Sequence, residues 1–231
     1  MTHVSHFLHF HLYHMNTERK SLVTEARQRK ILQTAQEIFL KRGLVDAQMA
    51  EVASEVGIGR RTLYRYFPTK EQLALAVEID LLDRLSEEII RLFADISGTG
   101  FDKVTIVIKR SIELLTNQFR EEVKFMGQFD NYFSKEYPSE VFSQKIKEIN
   151  SKAISAMAAM IQEGVEDGSI SKTIDPESVA TTVSNMLLAM AQRIVIRGHH
   201  LKEEISITPE SMLHQLSDLI LIALKPTQRI P

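Results

Sequence analysis

Three arginines and two tyrosines crowd the nine residues GRRTLYRYF between Gly59 and Phe67, where the large aliphatic and phenyl side chains are Leu63 and Phe67, one helical turn apart. At about 100° per residue, a helix that buries Leu63 and Phe67 turns Arg61 and Arg65 away from them. Thr62, Tyr64 and Tyr66 flank that outward side, and Arg60 stands in the first turn. A guanidinium is a planar fork of donors that stays charged, and it matches paired acceptors on anionic groups. Such a face suits a partner that is anionic and flat-edged.

The elements that must hold this face are legible on either side. In MAEVASEV, residues Met49, Val52, Ala53 and Val56 fall at i, i+3, i+4 and i+7 and make one apolar side of a short helix. Gly57 then stands where a left-handed residue stops it. Upstream, Ile31, Leu32, Ala35, Ile38 and Phe39 predict a helix from Glu25 to Arg42 that ends in Lys41 and Arg42 with Gly43 beyond. Downstream, Pro68 and Thr69 open a fourth helix, with Gln72 three residues on as a capping box. This puts Lys70 at a helix N-terminus, where free backbone N–H groups already favour an anion. The periodicity continues through Leu73, Val77, Leu81, Leu85 and Ile89 to about Ile96, before Ser97-Gly98-Thr99-Gly100.

The run GIGRRTLYRYFPTKEQL resembles the DNA-binding signature of TetR-type bacterial transcription regulators, on the combined spacing of Gly57, Leu63, Tyr64, Phe67, Lys70 and Leu73. The resemblance covers roughly residues 25–75, and the rest of the chain only in length and helical character. Two positions depart from the pattern. Gly59 stands where Ser or Thr is frequent, and Ala47 and Gln48 stand where a Thr pair is frequent, which leaves Asp46 as the side chain placed to cap the second helix. The resemblance implies DNA contacts at Gln48, Arg60, Arg61, Thr62, Tyr64, Arg65, Tyr66 and Lys70. Arg60 and Arg61 are placed for base edges, where a guanidinium can pair with guanine O6 and N7. Tyr64 and Thr62 suit a thymine methyl or a phosphate, while Tyr66, Lys70 and Gln48 suit phosphates that set register.

Charge is distributed to match. Residues 16–70 carry 11 Lys or Arg against 6 Asp or Glu, and residues from 71 onward carry 17 against 24, so a basic module precedes an acidic body. The absence of cysteine excludes a disulfide framework and thiolate chemistry, and it fits a reducing cytoplasm. Apolar runs such as Leu219–Leu224 are far shorter than the roughly 18 residues of a membrane span, so no membrane partner is expected. Residues 1–14 hold His3, His6, His9, His11 and His14, five of the eight histidines, without a charged residue. Lacking carboxylate or thiolate company, they are read as an extension rather than a metal site, and Met15 as an alternative natural start. No metal and no cofactor is expected.

The fold class expected is all-α. Residues 1–15 form a disordered extension or misassigned start, 16–70 a three-helix helix-turn-helix domain, 71–225 a helical effector-binding and dimerisation domain, and 226–231 a tail. In the larger domain, helices are predicted over Asp102–Phe119, Glu121–Ser134, Glu140–Gly168, Pro176–Arg197 and Pro209–Leu224, with Asp175 ahead of Pro176 at a helix start. The aromatic stretch Phe125, Met126, Phe129, Tyr132, Phe133 and Tyr137 is the candidate pocket lining, with Asn117 and Gln128 as polar contacts. The last two helices are apolar around more of their circumference than one core face requires. Val183, Met186, Leu187, Met190, Ile194, Leu216, Leu219 and Ile220 are therefore assigned to a homodimer interface, with internal packing as the competing explanation.

Taken together, the residues and the resemblance imply a sequence-specific DNA-binding regulator: a repressor, released from a palindromic operator in double-stranded DNA by a small-molecule effector. The alternative is a DNA-bound scaffold or activator that recruits a protein partner. An enzyme is not expected, because Gly57-x-Gly59 follows a helix rather than a strand and fails the context of a nucleotide loop.

Overall fold

The computed structural model describes residues 3–135 and 140–226, with side chains from Thr24 onward. Among them all regular structure is helical. The chain divides into two compact units, Met1–Val77 and Glu78–Pro231.

The first unit contains α1 (His3–Asp46), α2 (Met49–Val56), α3 (Arg60–Tyr66) and the start of α4 (Lys70–Leu92). Helical backbone is described from His3 rather than from near Glu25, so residues 3–15 of the expected extension lie within α1. No glycine or proline interrupts the chain before Gly43, and nothing local ends the helix earlier. Gly43 is where the regular geometry fails, with φ 79° and ψ 156°, a conformation that a side-chain-bearing residue rarely tolerates. Ile31, Ala35 and Phe39 of α1, Val52 and Ala53 of α2, Leu63 of α3, and Leu73 and Val77 of α4 are each almost wholly buried and make up the core of this unit, in which α2 packs on α1 and α3. The Lys30 ammonium donates to the Val56 carbonyl at 3.1 Å, and Arg42 pairs with Glu51 at 3.3 Å. α2 is thereby tied to α1 at both ends.

The second unit contains the rest of α4, then α5 (Gly100–Glu113), a π-helical segment (Leu114–Gln118), α6 (Arg120–Tyr132), α7 (Glu140–Asp167), α8 (Pro176–Glu204) and α9 (Pro209–Leu224). α8 is central and packs on α7, α6 and α9, while α5 packs on α7. Several expected starts and stops are present. Asp175 accepts from the Ser178 N–H at 2.9 Å with Pro176 in the first turn, and Gly168 ends α7 with φ 81°. α4 stops at Leu92, one turn before the expected Ile96, and α8 runs on to Glu204 rather than ending at Arg197.

The single helix expected over Asp102–Phe119 is interrupted. Thr116 and the residues beside it lie in a π turn, closed by Phe119 N–H to Leu114 O at 2.8 Å. A wider turn shifts the faces that follow it, which changes where Asn117 points.

At the start of α5 two backbones meet. A Cβ placed on Gly100 would lie 2.1 Å from the Gly164 nitrogen. The Gly100 N–H is held by Asp167 Oδ2 at 2.8 Å, and the Phe101 N–H by Ser169 Oγ at 3.1 Å. Hydrogen bonding from the Ser169 hydroxyl, and then from the Gly100 and Ser169 N–H groups, holds the Asp167 carboxyl below its ordinary range.

α8 contains an 18-residue window of mean hydropathy 1.4, long and apolar enough by composition to cross a bilayer. Its Ala180, Val183, Leu187, Ala191 and Ile194 are instead buried in the core of the unit.

Candidate nucleic-acid interface and ligand pocket

The turn between α2 and α3 follows from glycine. Gly57 takes φ 78° and ψ 36°, and its N–H reaches Ser54 O while that of Ile58 reaches Ala53 O at 2.9 Å. This closes α2 in the manner of a left-handed cap. Gly59 then starts α3 in extended conformation, its carbonyl accepting from the Thr62 and Leu63 N–H groups. Leu63 is fully buried and Phe67 nearly so, which leaves Arg60, Arg61, Tyr64 and Arg65 exposed and Thr62 and Tyr66 half-buried. The outward face expected from the helical wheel is thus present on α3. The Arg65 guanidinium lies 5.9 Å from the centre of the Tyr66 ring, within the range of a cation–π contact.

Two expectations around this face change. Gln48, not Asp46, occupies the N-cap of α2, with φ −112° and ψ 135°. The Gln48 N–H donates to Glu51 Oε2, and its side-chain amide donates to the Asp46 carbonyl at 3.2 Å. Asp46 ends α1, two residues too early for its carboxylate to serve α2. Lys70 begins α4 as expected, but its ammonium donates to the Val45 carbonyl at 2.8 Å. The head of α4 is thereby joined to the end of α1, and Thr69 Oγ1 accepts from the Gln72 N–H as the cap requires.

The second unit holds a pocket of about 390 Å³ between α4, α6, α7 and α8. Phe129 and Phe133 line it, with Met126 and Phe142. Phe125 packs behind Phe129, their ring centres 6.3 Å apart, and Tyr132 sets its edge against Phe133 at 5.0 Å. Gln128 is outside the lining, and Tyr137 lies outside the described residues. Asn117 does not reach this pocket: carried round by the π turn, it lines a separate groove with Lys109, Arg120 and His214.

Sequence reasoning missed the polar lining: Glu78 from α4, Asp130 from α6, Asn150 from α7, and Asn185 and Gln192 from α8. A carboxylate at position 78, on the side of α4 that also presents Leu81 and Leu85, was the one available signal. A smaller, apolar cavity of about 110 Å³ adjoins it and shares Leu82, Asn150, Asn185 and Leu188.

The residues assigned to a subunit interface divide. Val183, Leu187, Ile194 and Ile220 are buried inside the single chain, because α8 turns that face to α6 and α7 and α9 packs on α8. They are corrected to core residues. Met190 and Leu216 are half-buried, whereas Met186 and Leu219 remain exposed, the latter beside exposed Ile222.

Residues 31–77 match the bacterial regulatory proteins of the tetR family. Over 148 residues the chain is 24% identical to the fatty acid metabolism regulator protein of Bacillus subtilis (strain 168), covering 63% of this chain and 72% of that one. Among solved structures, a transcriptional regulator from Saccharomonospora viridis in complex with choline superposes with a TM-score of 0.67 at 20% identity, over 87% of this chain and 98% of the other. AibR in complex with isovaleryl coenzyme A and operator DNA does so with a TM-score of 0.59 at 21% identity, over 84% and 97%. Over residues 31–77, which include α2, the turn and α3, the chain thus carries the segment characteristic of bacterial regulatory proteins of the tetR family, and beyond it the chain shares the fold of transcriptional regulators.

Proposed function

We propose that the chain is a repressor that binds a palindromic operator as a homodimer through α3 and is released when a small molecule occupies the pocket of the second unit. The observation that carries this reading is the exposed cationic face of α3 above an inward Leu63 and Phe67. One short helix makes too few base contacts to single out one site in a genome, whereas a two-fold dimer reads two half-sites and multiplies the discrimination. Arg60 and Arg61 read base edges. Thr62, Tyr64 and Tyr66 contact a methyl or phosphates, and Gln48 and Arg65 face the backbone. Lys70 acts mainly by holding the head of α4 and adds charge near a phosphate. Exposed Met186 on α8 and exposed Leu219 and Ile222 on α9, with half-buried Met190 and Leu216 on the same two helices, supply the apolar part of the dimer contact. Such a protein works beside the chromosome, in the cytoplasm.

The pocket favours a sensed ligand over a recruited protein partner, since a lined cavity with convergent polar groups is what a small molecule needs. Relatives are described with stearoyl-CoA, isovaleryl coenzyme A and choline. α4 is common to both units, so a ligand that favours one placement of this helix changes operator affinity by the coupling free energy, typically about 1 to 3 kcal/mol. The test is selection of bound fragments from the source genome, followed by footprinting. A protected palindrome of two half-sites is the expected result, and uniform binding without a protected sequence would overturn the reading.

A further inference from the structure

Glu78 is 4% exposed, lines the 390 Å³ pocket, and its Oε2 has no hydrogen-bond partner. A buried carboxylate oxygen with nothing to accept from is costly. It therefore marks a place where a donor or positive charge is missing from the chain itself. The second carboxylate of the lining, Asp130, receives one bond from the Gln192 amide at 3.2 Å. Among the described residues no lysine, arginine or histidine lines the pocket, so α4 and α6 contribute one acid each and α7 and α8 only neutral groups. The apolar wall combines three phenyl rings, Phe129, Phe133 and Phe142, with Leu82, Met126, Ile146 and Leu188. Phe129 stands with its ring centre 4.6 Å from that of Phe133 and 5.6 Å from that of Phe142. Ring faces attract a cation and offer nothing to an anion. Leu82 and Leu188 are shared with the adjoining apolar cavity, which Leu85, Ile89, Phe93 and Met157 also line.

We propose that the pocket takes an organic cation with an apolar tail: an ammonium head between Glu78, Asp130 and the phenyl rings, and the tail toward Phe93 and Met157. This rests on the reading of the second unit as the ligand-sensing one and names the class of ligand. An anionic head, whether carboxylate or phosphate, would meet two acids and no base. Burial, and then the charge of Asp130, push the Glu78 carboxyl up to about 8. The arriving cation favours its ionised form, so binding at neutral pH releases a proton from Glu78.

The experiment is calorimetric titration of the full-length protein with decyltrimethylammonium, sodium decanoate and decanoyl-CoA, each below its micellar concentration. The ammonium compound is expected to bind saturably, one per chain, with a heat that varies with the ionisation enthalpy of the buffer. Glu78→Gln is expected to weaken it at least tenfold and to abolish the buffer dependence. Asp130→Asn, at the rim of the pocket, weakens it less and serves if the first variant does not fold. Binding of decanoate or decanoyl-CoA in place of the ammonium compound would overturn the cation assignment while leaving a ligand-sensing unit intact. Failure of all three to bind overturns it as well. Binding of the ammonium compound without any change in operator affinity would uphold the cation site and refute ligand-controlled repression.

Discussion

The Lys70 ammonium and the Val45 carbonyl, 2.8 Å apart, join the first turn of α4 to the end of α1, just before α2. The contact gives Lys70 a part in the fold apart from any charge it lends to a phosphate: it fixes the head of α4 against the residues just ahead of α2. A charge-assisted bond near the surface contributes about 1 kcal/mol. Lys70→Ala is expected to lower the urea midpoint of the first unit by a corresponding amount and to weaken operator and random duplex alike. An unchanged midpoint with a loss of affinity would assign Lys70 to phosphate contact alone.

Arg61→Ala should behave differently, because Arg61 is exposed on α3 and supports nothing in the core. We expect stability to be unchanged and affinity for the operator to fall by about 1 to 3 kcal/mol per half-site, with a smaller loss on random duplex. Fluorescence anisotropy on both duplexes decides the point. Equal losses would remove Arg61 from base reading.

Gly100→Ala places a methyl group 2.1 Å from the Gly164 nitrogen, where the obstacle is backbone rather than a mobile side chain. α5 and α7 must separate, and the bonds from Gly100 to Asp167 and from Phe101 to Ser169 lengthen with them. A loss of about 1 to 3 kcal/mol or more is expected in denaturant unfolding. A neutral substitution would mean that the two helices do not meet this closely.

The Glu78 carboxyl, ordinarily near 4.5, is pushed up to about 8 by burial and then by Asp130. Between these values the unfolded chain has released its proton and the folded chain retains it. Stability is therefore greatest below about 4.5 on this account and declines as pH rises toward 8, by an amount on the order of a few kcal/mol. Asp130, raised by its own partial burial, acts in the same direction, and the Gln192 bond opposes it. Glu78→Gln should flatten the fall in urea midpoint between pH 5.5 and pH 8. An equally steep fall in the variant would place the titration elsewhere.

Leu219 and Ile222 are each about two-thirds exposed on α9, and Met186 is 40% exposed on α8. Leu219→Lys is expected to yield monomers in sedimentation with helicity unchanged. Truncation after Arg197 would be less informative, because it also removes the buried Leu201, Leu213 and Leu224. A dimer that tolerates Leu219→Lys together with Met186→Lys would place the interface on another surface.

Much of this molecule follows from residues close together in the chain. Helix spacing, the left-handed glycine at 57, the Thr69 cap and the Asp175-Pro176 start each depend on interactions within a few residues, and each was readable. So was the outward face of α3, because Leu63 and Phe67 leave a seven-residue helix only one way to turn. What distant packing controls was not. Whether Val183 or Met186 faces the core depends on which side of α8 meets α6 and α7, and a helix apolar on several sides does not declare that. Asn117 left the pocket because of one wide turn. Glu78, Asp130 and Gln192 meet only because α4, α6 and α8 converge. Periodicity records the direction of a side chain about its own helix axis, and only the packing of helices sets what stands opposite.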